Sequence, residues 1–121
     1  MKDGFRFESL EIWKRSAEAS YRLFTLADHL ENEKKFRFSE QLRGASLSIT
    51  NNIAEGAGSY SKKEFAQFLN YAHRSIFEVA NILKLVFPEK CDSPNFQSIF
   101  NELEEISRMI HAFRKGLLSS Q

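Results

Sequence analysis

Three histidines, one cysteine and a set of scattered carboxylates are where a search for chemistry in this 121-residue chain must begin. A di-metal carboxylate centre in a helical protein uses Glu-x-x-His pairs, because positions i and i+3 present both ligands on one helix face. The residue three before His29 is Leu26, that before His73 is Asn70, and that before His111 is Arg108, so no such pair exists. Cys91 stands between Lys90 and Asp92 in a polar break, with no histidine near it in sequence to act as a base, and reads as a surface residue. No Gly-x-x-x-x-Gly-Lys occurs, and Gly56-Ala57-Gly58 follows a helical pattern instead of a strand, so its glycines serve chain reversal. The expectation is a non-enzymatic protein with no catalytic residue, no metal and no cofactor.

Two groups of polar residues remain. In Asn51-Asn52-Ile53-Ala54-Glu55-Gly56, Asn52 and Glu55 are three apart and share a face at a helix end. One reading has them satisfy backbone groups in the turn, with Glu55 facing the positive start of the next helix. The other makes them a polar pocket. The second group is basic: Arg43, Lys62, Lys63 and Arg74 are candidates for nucleic-acid contact, with Arg37 a more distant one. In an antiparallel hairpin Arg43 and Arg74 would fall at comparable depth and flank one groove. Lysine and arginine total 17 against 16 acidic residues, a net charge of +1. The sequence pI is 7.9, below the range above about 9 usual for a dedicated nucleic-acid-binding domain. A ring of copies would repeat a weak patch, so that phosphate contacts add through counterion release and avidity.

The elements that position these residues follow from periodicity. From about Glu8 to Leu30, Leu10, Trp13, Ala17, Tyr21, Phe24 and Ala27 recur at steps of three and four, with Leu23, Leu26 and Leu30 widening the stripe. Glu11–Arg15 and Glu18–Arg22 are i,i+4 pairs on the opposite face. The polar stretch Glu31–Arg37 connects to a second helix from about Phe38 to Glu55, carrying Phe38, Leu42, Ala45, Ile49 and Ile53. Small residues (Gly44, Ala45, Ser46, Ser48) allow a neighbour's backbone to come close, and Gly56 and Gly58 end the helix through the left-handed conformation. Ser61-Lys62-Lys63-Glu64 is a capping box, Ser61 and Glu64 being its two members. The third helix it opens carries Phe65, Phe68, Leu69, Ala72, Ile76, Val79, Leu83 and Val86, and stops at Phe87-Pro88. After the break Glu89–Asp92, Ser93 caps a fourth helix with Pro94 at its first position and a seam from Phe96 to Leu117.

Four helices of roughly 20–25 residues, each about 30–37 Å long, joined by short connections, predict an all-α antiparallel up-and-down four-helix bundle in a single domain over residues 1–121. The amino terminus, Met1 to Arg6, has no apolar core of a signal peptide, and no run reaches the roughly 18–20 apolar residues of a membrane span. With one cysteine, this predicts a cytoplasmic protein with no membrane partner. Twelve phenylalanines exceed what one bundle needs. Tyr71, Phe77, Ile82, Leu85 and Phe87 lie outside the main stripe of the third helix, and exposed apolar surface of this kind marks an interface between copies.

The run Glu40-Gln41-Leu42-Arg43 to Ser48-Ile49, then Asn52-Ile53-Ala54-Glu55-Gly56, resembles the proteins encoded in 23S rRNA intervening sequences. Ser61-Lys62-Lys63-Glu64-Phe65, Phe68-Leu69, Ala72 to Glu78 and the opening Phe7-Glu8-Ser9-Leu10-Glu11-Ile12-Trp13 extend the resemblance over nearly the whole chain. It implies a cytoplasmic bacterial four-helix bundle whose relatives form ring-shaped homopentamers. The accessory variability proteins of diversity-generating retroelements look related, and this implies nucleic acid and a reverse transcriptase as partner classes. Gly44 and Ser59 stand where the family often has arginine, and Thr50 where it usually has proline, which implies weaker phosphate contact and a straighter second helix. The function expected is an oligomeric bundle that binds nucleic acid weakly. The alternative is an oligomeric protein-interaction adaptor with no nucleic-acid role.

Overall fold

The computed structural model describes residues 4–120; Met1, Lys2 and Asp3 of the amino-terminal reading, and Gln121, lie outside the described residues. Four helices follow a single 3₁₀ turn at Arg6–Ser9: α1 (Glu11–Asn32), α2 (Phe36–Ala57), α3 (Lys62–Val86) and α4 (Pro94–Ser119). Each packs against its sequence neighbour, and α4 closes against α1, which makes an antiparallel up-and-down four-helix bundle. Among the described residues no helix is long and apolar enough to cross a membrane.

The boundaries differ from the periodicity in instructive ways. The first helix starts at Glu11 and not Glu8, because the Glu8 carboxylate accepts the Phe5 N–H at 2.6 Å and folds the preceding residues into their own turn. That turn is pinned to the far corner of the bundle by the Arg6 guanidinium, which donates to the Ala57 carbonyl at 3.1 Å. The α1–α2 connection is shorter than Glu31–Arg37. Lys34 adopts φ +65°, its N–H bonds to the Glu31 carbonyl at 2.9 Å, and the Lys35 N–H bonds to the Leu30 carbonyl at 2.8 Å. This is a Schellman motif with lysine where glycine is usual.

The Ser93 cap read from sequence is present, and of the Ser61–Glu64 box only the serine half is formed. The Ser61 hydroxyl accepts the Glu64 N–H at 3.0 Å, forming the serine half of the box, and Ser93 accepts the Phe96 N–H at 3.4 Å ahead of Pro94. The glycine reading needs correction. Gly58 has φ −85°, and Gly56 lies within α2, so neither uses left-handed backbone. Gly56 is required for closeness: a Cβ there would sit 2.8 Å from both Phe65 Cδ1 and Phe68 Cβ. Along the same seam the Ser48 and Ser75 hydroxyls meet at 2.8 Å, and Ala45 and Ser46 are buried. Gly44 points outward into open space.

The core is built on Leu23, Leu42, Ile53, Leu69, Leu83 and Ile110, all fully buried. In α1 the buried face is Ile12, Ser16, Ala19, Ser20, Leu23, Ala27 and Leu30, whereas Tyr21 is exposed. The Ser20 hydroxyl bonds within its own helix, to the Ser16 carbonyl at 2.8 Å, whereas the buried Ser16 hydroxyl has no partner among the described residues. Phe38 is likewise exposed on the first turn of α2. Cys91 is a correction too: it is buried, and its thiol donates to the Phe87 carbonyl at 3.2 Å. The i,i+4 pairs of α1 are replaced by ties across to α4, Arg15 to Glu105 and Arg22 to Glu102 at 3.3 Å.

Three substitutions test these readings. Gly56→Ala should destabilise the fold by about 1–3 kcal/mol through overpacking, whereas Gly44→Ala should stabilise it by about 0.5–1 kcal/mol. Lys34→Gly should raise stability by about 1 kcal/mol by relieving left-handed backbone. Urea midpoints at constant m-value measure all three.

Candidate nucleic-acid interface

The basic residues singled out in the sequence do not converge. Arg43 faces α1, where it donates to Asp28 at 2.5 Å, Glu31 at 2.8 Å and the Ser39 hydroxyl at 2.7 Å. The hydrogen bond to Asp28, and then that to Glu31, push its pKa further up, and the guanidinium is committed to structure. Arg74 lies on another face, in a polar groove between α2 and α3 shared with Ser48, Asn52, Tyr71 and Glu78. The Ser48–Ser75 contact marks the register of this hairpin, in which Arg43 lies level with Ala80 instead of Arg74. The predicted flanking of one groove is therefore not formed.

Lys62 is exposed at the start of α3, with its Nζ 2.9 Å from the Ser120 hydroxyl at the end of α4. Lys63, beside it, is exposed with no polar partner among the described residues. Asn52 donates to the Ser48 carbonyl at 2.7 Å and so serves its own helix one turn back, not the α2–α3 turn. Glu55 is exposed. Of the apolar residues assigned to an interface, Ile82 and Phe87 are buried in the core, and Phe87 packs on Phe96 with ring centroids 5.2 Å apart. They lie at the edge of the main stripe, and the α3 face is wider than the stripe alone. Leu85 and Phe77 do remain exposed, at 72% and 62%.

A different basic surface emerges where α3 meets α4. One groove follows this seam and a second, lined by α4 alone, continues along that helix; their charged lining is Lys84, Arg108, Arg114 and Lys115, with His111 beside them, against the single carboxylate of Glu104. His73 joins them from α3, its ring 5.0 Å from Phe77. The Arg114 guanidinium is held by the Ala66 carbonyl at 2.9 Å, an anchor that leaves its remaining N–H groups for an anion. The cause of this imbalance is on the other side of α4. Glu102 and Glu105 turn toward α1 and pair with Arg22 and Arg15, so α4 spends its acidic residues there. From Ile106 onward the chain has no acidic residue at all, a signal present in the sequence far from the Asn-Ile-Ala-Glu-Gly segment.

His73 reports this environment. Its pKa is lowered, first by burial and then by repulsion from His111 and Arg114. Among the described residues no three His, Cys, Asp or Glu side chains gather to hold a metal ion.

Comparison with known structures supports the bundle as a recurrent type. The crystal structure of a protein of unknown function from the S23 ribosomal protein family of Bacteroides thetaiotaomicron superposes with a TM-score of 0.77 and 28% identity, covering 86% of this chain and 98% of that one. Residues 8–112 match the family model described as 23S rRNA-intervening sequence protein, and the chain belongs to that family. No curated protein matches it.

A lowered histidine pKa means that the unfolded chain binds the proton more readily. The contribution of His73 to stability is therefore present above pH 6.5 and is lost as pH falls through the depressed value. Thermal unfolding should show a drop in midpoint from pH 7 toward pH 5 that is smaller in His73→Gln.

Proposed function

We propose that this protein is a non-catalytic nucleic-acid-binding bundle that engages the phosphate backbone along the α3–α4 seam. The observation that carries the reading is the local charge. The seam groove and its neighbour along α4 are lined by four lysine or arginine side chains and one carboxylate, in a chain whose overall charge is +1. Such a surface attracts a polyanion without reading its sequence, since phosphate contact positions the ligand and base contact specifies it. Lys62 and Lys63 extend the same polarity at the start of α3. The family's name ties its genes to a ribosomal RNA, which agrees with RNA as the polyanion.

Association between copies is a second reading, favoured by Leu85 at 72% and Tyr71 at 40% exposure on the outer side of α3. The homopentamers implied by the resemblance would multiply each weak phosphate contact. Light scattering tests it directly, and the mass of a single chain at micromolar concentration would remove it.

The phosphate reading predicts that affinity for structured RNA falls with salt, with a log–log slope of about −3 for four charge contacts. Arg108→Glu with Lys115→Glu should weaken binding at least tenfold, roughly equally on RNA and duplex DNA. Arg43→Gln should leave it unchanged, because that side chain is held by Asp28 and Glu31. Salt-independent binding, or equal sensitivity to the Arg43 substitution, would sink the assignment to this seam.

A further inference from the structure

The groove along the α3–α4 seam has a volume of about 480 Å³ and an apolar floor of Ile76, Ala80, Phe100 and Leu103. Phe77 stands on its wall, 62% exposed although it lies in the middle of a helix. One side of its ring is braced by the His73 imidazole, with centroids 5.0 Å apart and planes at 47°. A phenyl ring held in place by a neighbour, with much of its surface still open, is suited to receive a flat partner.

Cations stand at both ends of the groove. Lys84 lies with its Nζ 4.3 Å over the Phe100 ring, and Arg108 lies at the other end. Along α4, Gln97 to Arg108 covers about 16 Å at 1.5 Å per residue. The one carboxylate, Glu104, lies within this groove. A phosphate on the floor would meet that negative charge and an apolar surface, whereas a neutral aromatic base would meet neither penalty.

We propose that this groove takes an unpaired nucleobase stacked on Phe77, with the flanking phosphates running past Lys84 and Arg108, so that the preferred ligand is single-stranded nucleic acid. The proposal rests on the phosphate reading above and deepens it. A duplex hides its base faces in its own stack and can use only the cations, whereas a single strand uses the ring and the cations together.

The test is fluorescence anisotropy with a short labelled oligocytidylate and with an RNA duplex of equal length, both at low salt. Phe77→Leu should weaken single-strand binding about tenfold and leave duplex binding unchanged. Phe77→Trp should restore or strengthen it. The position is exposed, so both variants should fold, and circular dichroism at matched concentration verifies this. If Phe77→Leu affects both ligands equally, or neither, the stacking proposal is overturned while salt-dependent binding lost in Arg108→Glu keeps the phosphate reading. If the unmodified protein binds neither ligand, both readings fall.

Discussion

Everything in this bundle is referred to one close approach, that of α2 to α3 at Gly56. Phe65 and Phe68 occupy the space where any larger residue would carry its Cβ, so the two helices meet nearly backbone to ring. The contact determines the register of the hairpin, which in turn brings Ser48 to Ser75 and closes the polar seam further along. Phe65 also packs on Phe113 at 5.4 Å, so the same corner sets the position of α4. Arg6 joins it from the other side, bonded to the Ala57 carbonyl and lying 5.6 Å from the Phe65 ring centre. A methyl group at position 56 would thus disturb three packing relations at once.

Charge is distributed by the same geometry. With α4 fixed at the Gly56 corner, its two faces are assigned: one looks at α1 and the other at α3. The α1 side collects opposite charges in register, and the Glu105 hydrogen bond to Arg15 raises that arginine's pKa. The α3 side is left with cations, two histidines and Glu104. A chain nearly neutral overall therefore presents a polar asymmetry that no whole-chain charge reveals, because partial pairing on one face removes the compensating acids from the other.

Much of the fold was legible because bundles use a repetitive signal. The α4 seam and the caps at Ser61 and Ser93 needed only spacing and side-chain chemistry, and both are local. The α1–α2 turn was misjudged because its left-handed residue is Lys34, and lysine carries no turn signature. Interface residues were harder. Ile82 and Leu85 look alike in sequence, yet one is buried and the other exposed, since the boundary of a helix face depends on how far the neighbours reach. Site residues were hardest of all. Arg43 and Arg108 are equivalent as letters; what separates them is the presence of Asp28 and Glu31 beside the first, both from the last turns of α1.

The pairing of α1 with α4 has a kinetic consequence. Each of the other helix contacts joins neighbours in the chain and can form as soon as one connection closes, which favours rapid assembly. The α1–α4 contact spans the longest loop and is the loosest of the four, held at its edge by Arg15 and Arg22. Sequence separation predicts that this edge closes last in folding and opens first in unfolding. Weakening those arginine pairs would then accelerate unfolding and leave the folding rate nearly unaltered, the pattern of contacts absent from the transition state. On this reading the lifetime of the folded state depends on the edge where the first and last helices meet more than on the tightly packed hairpin.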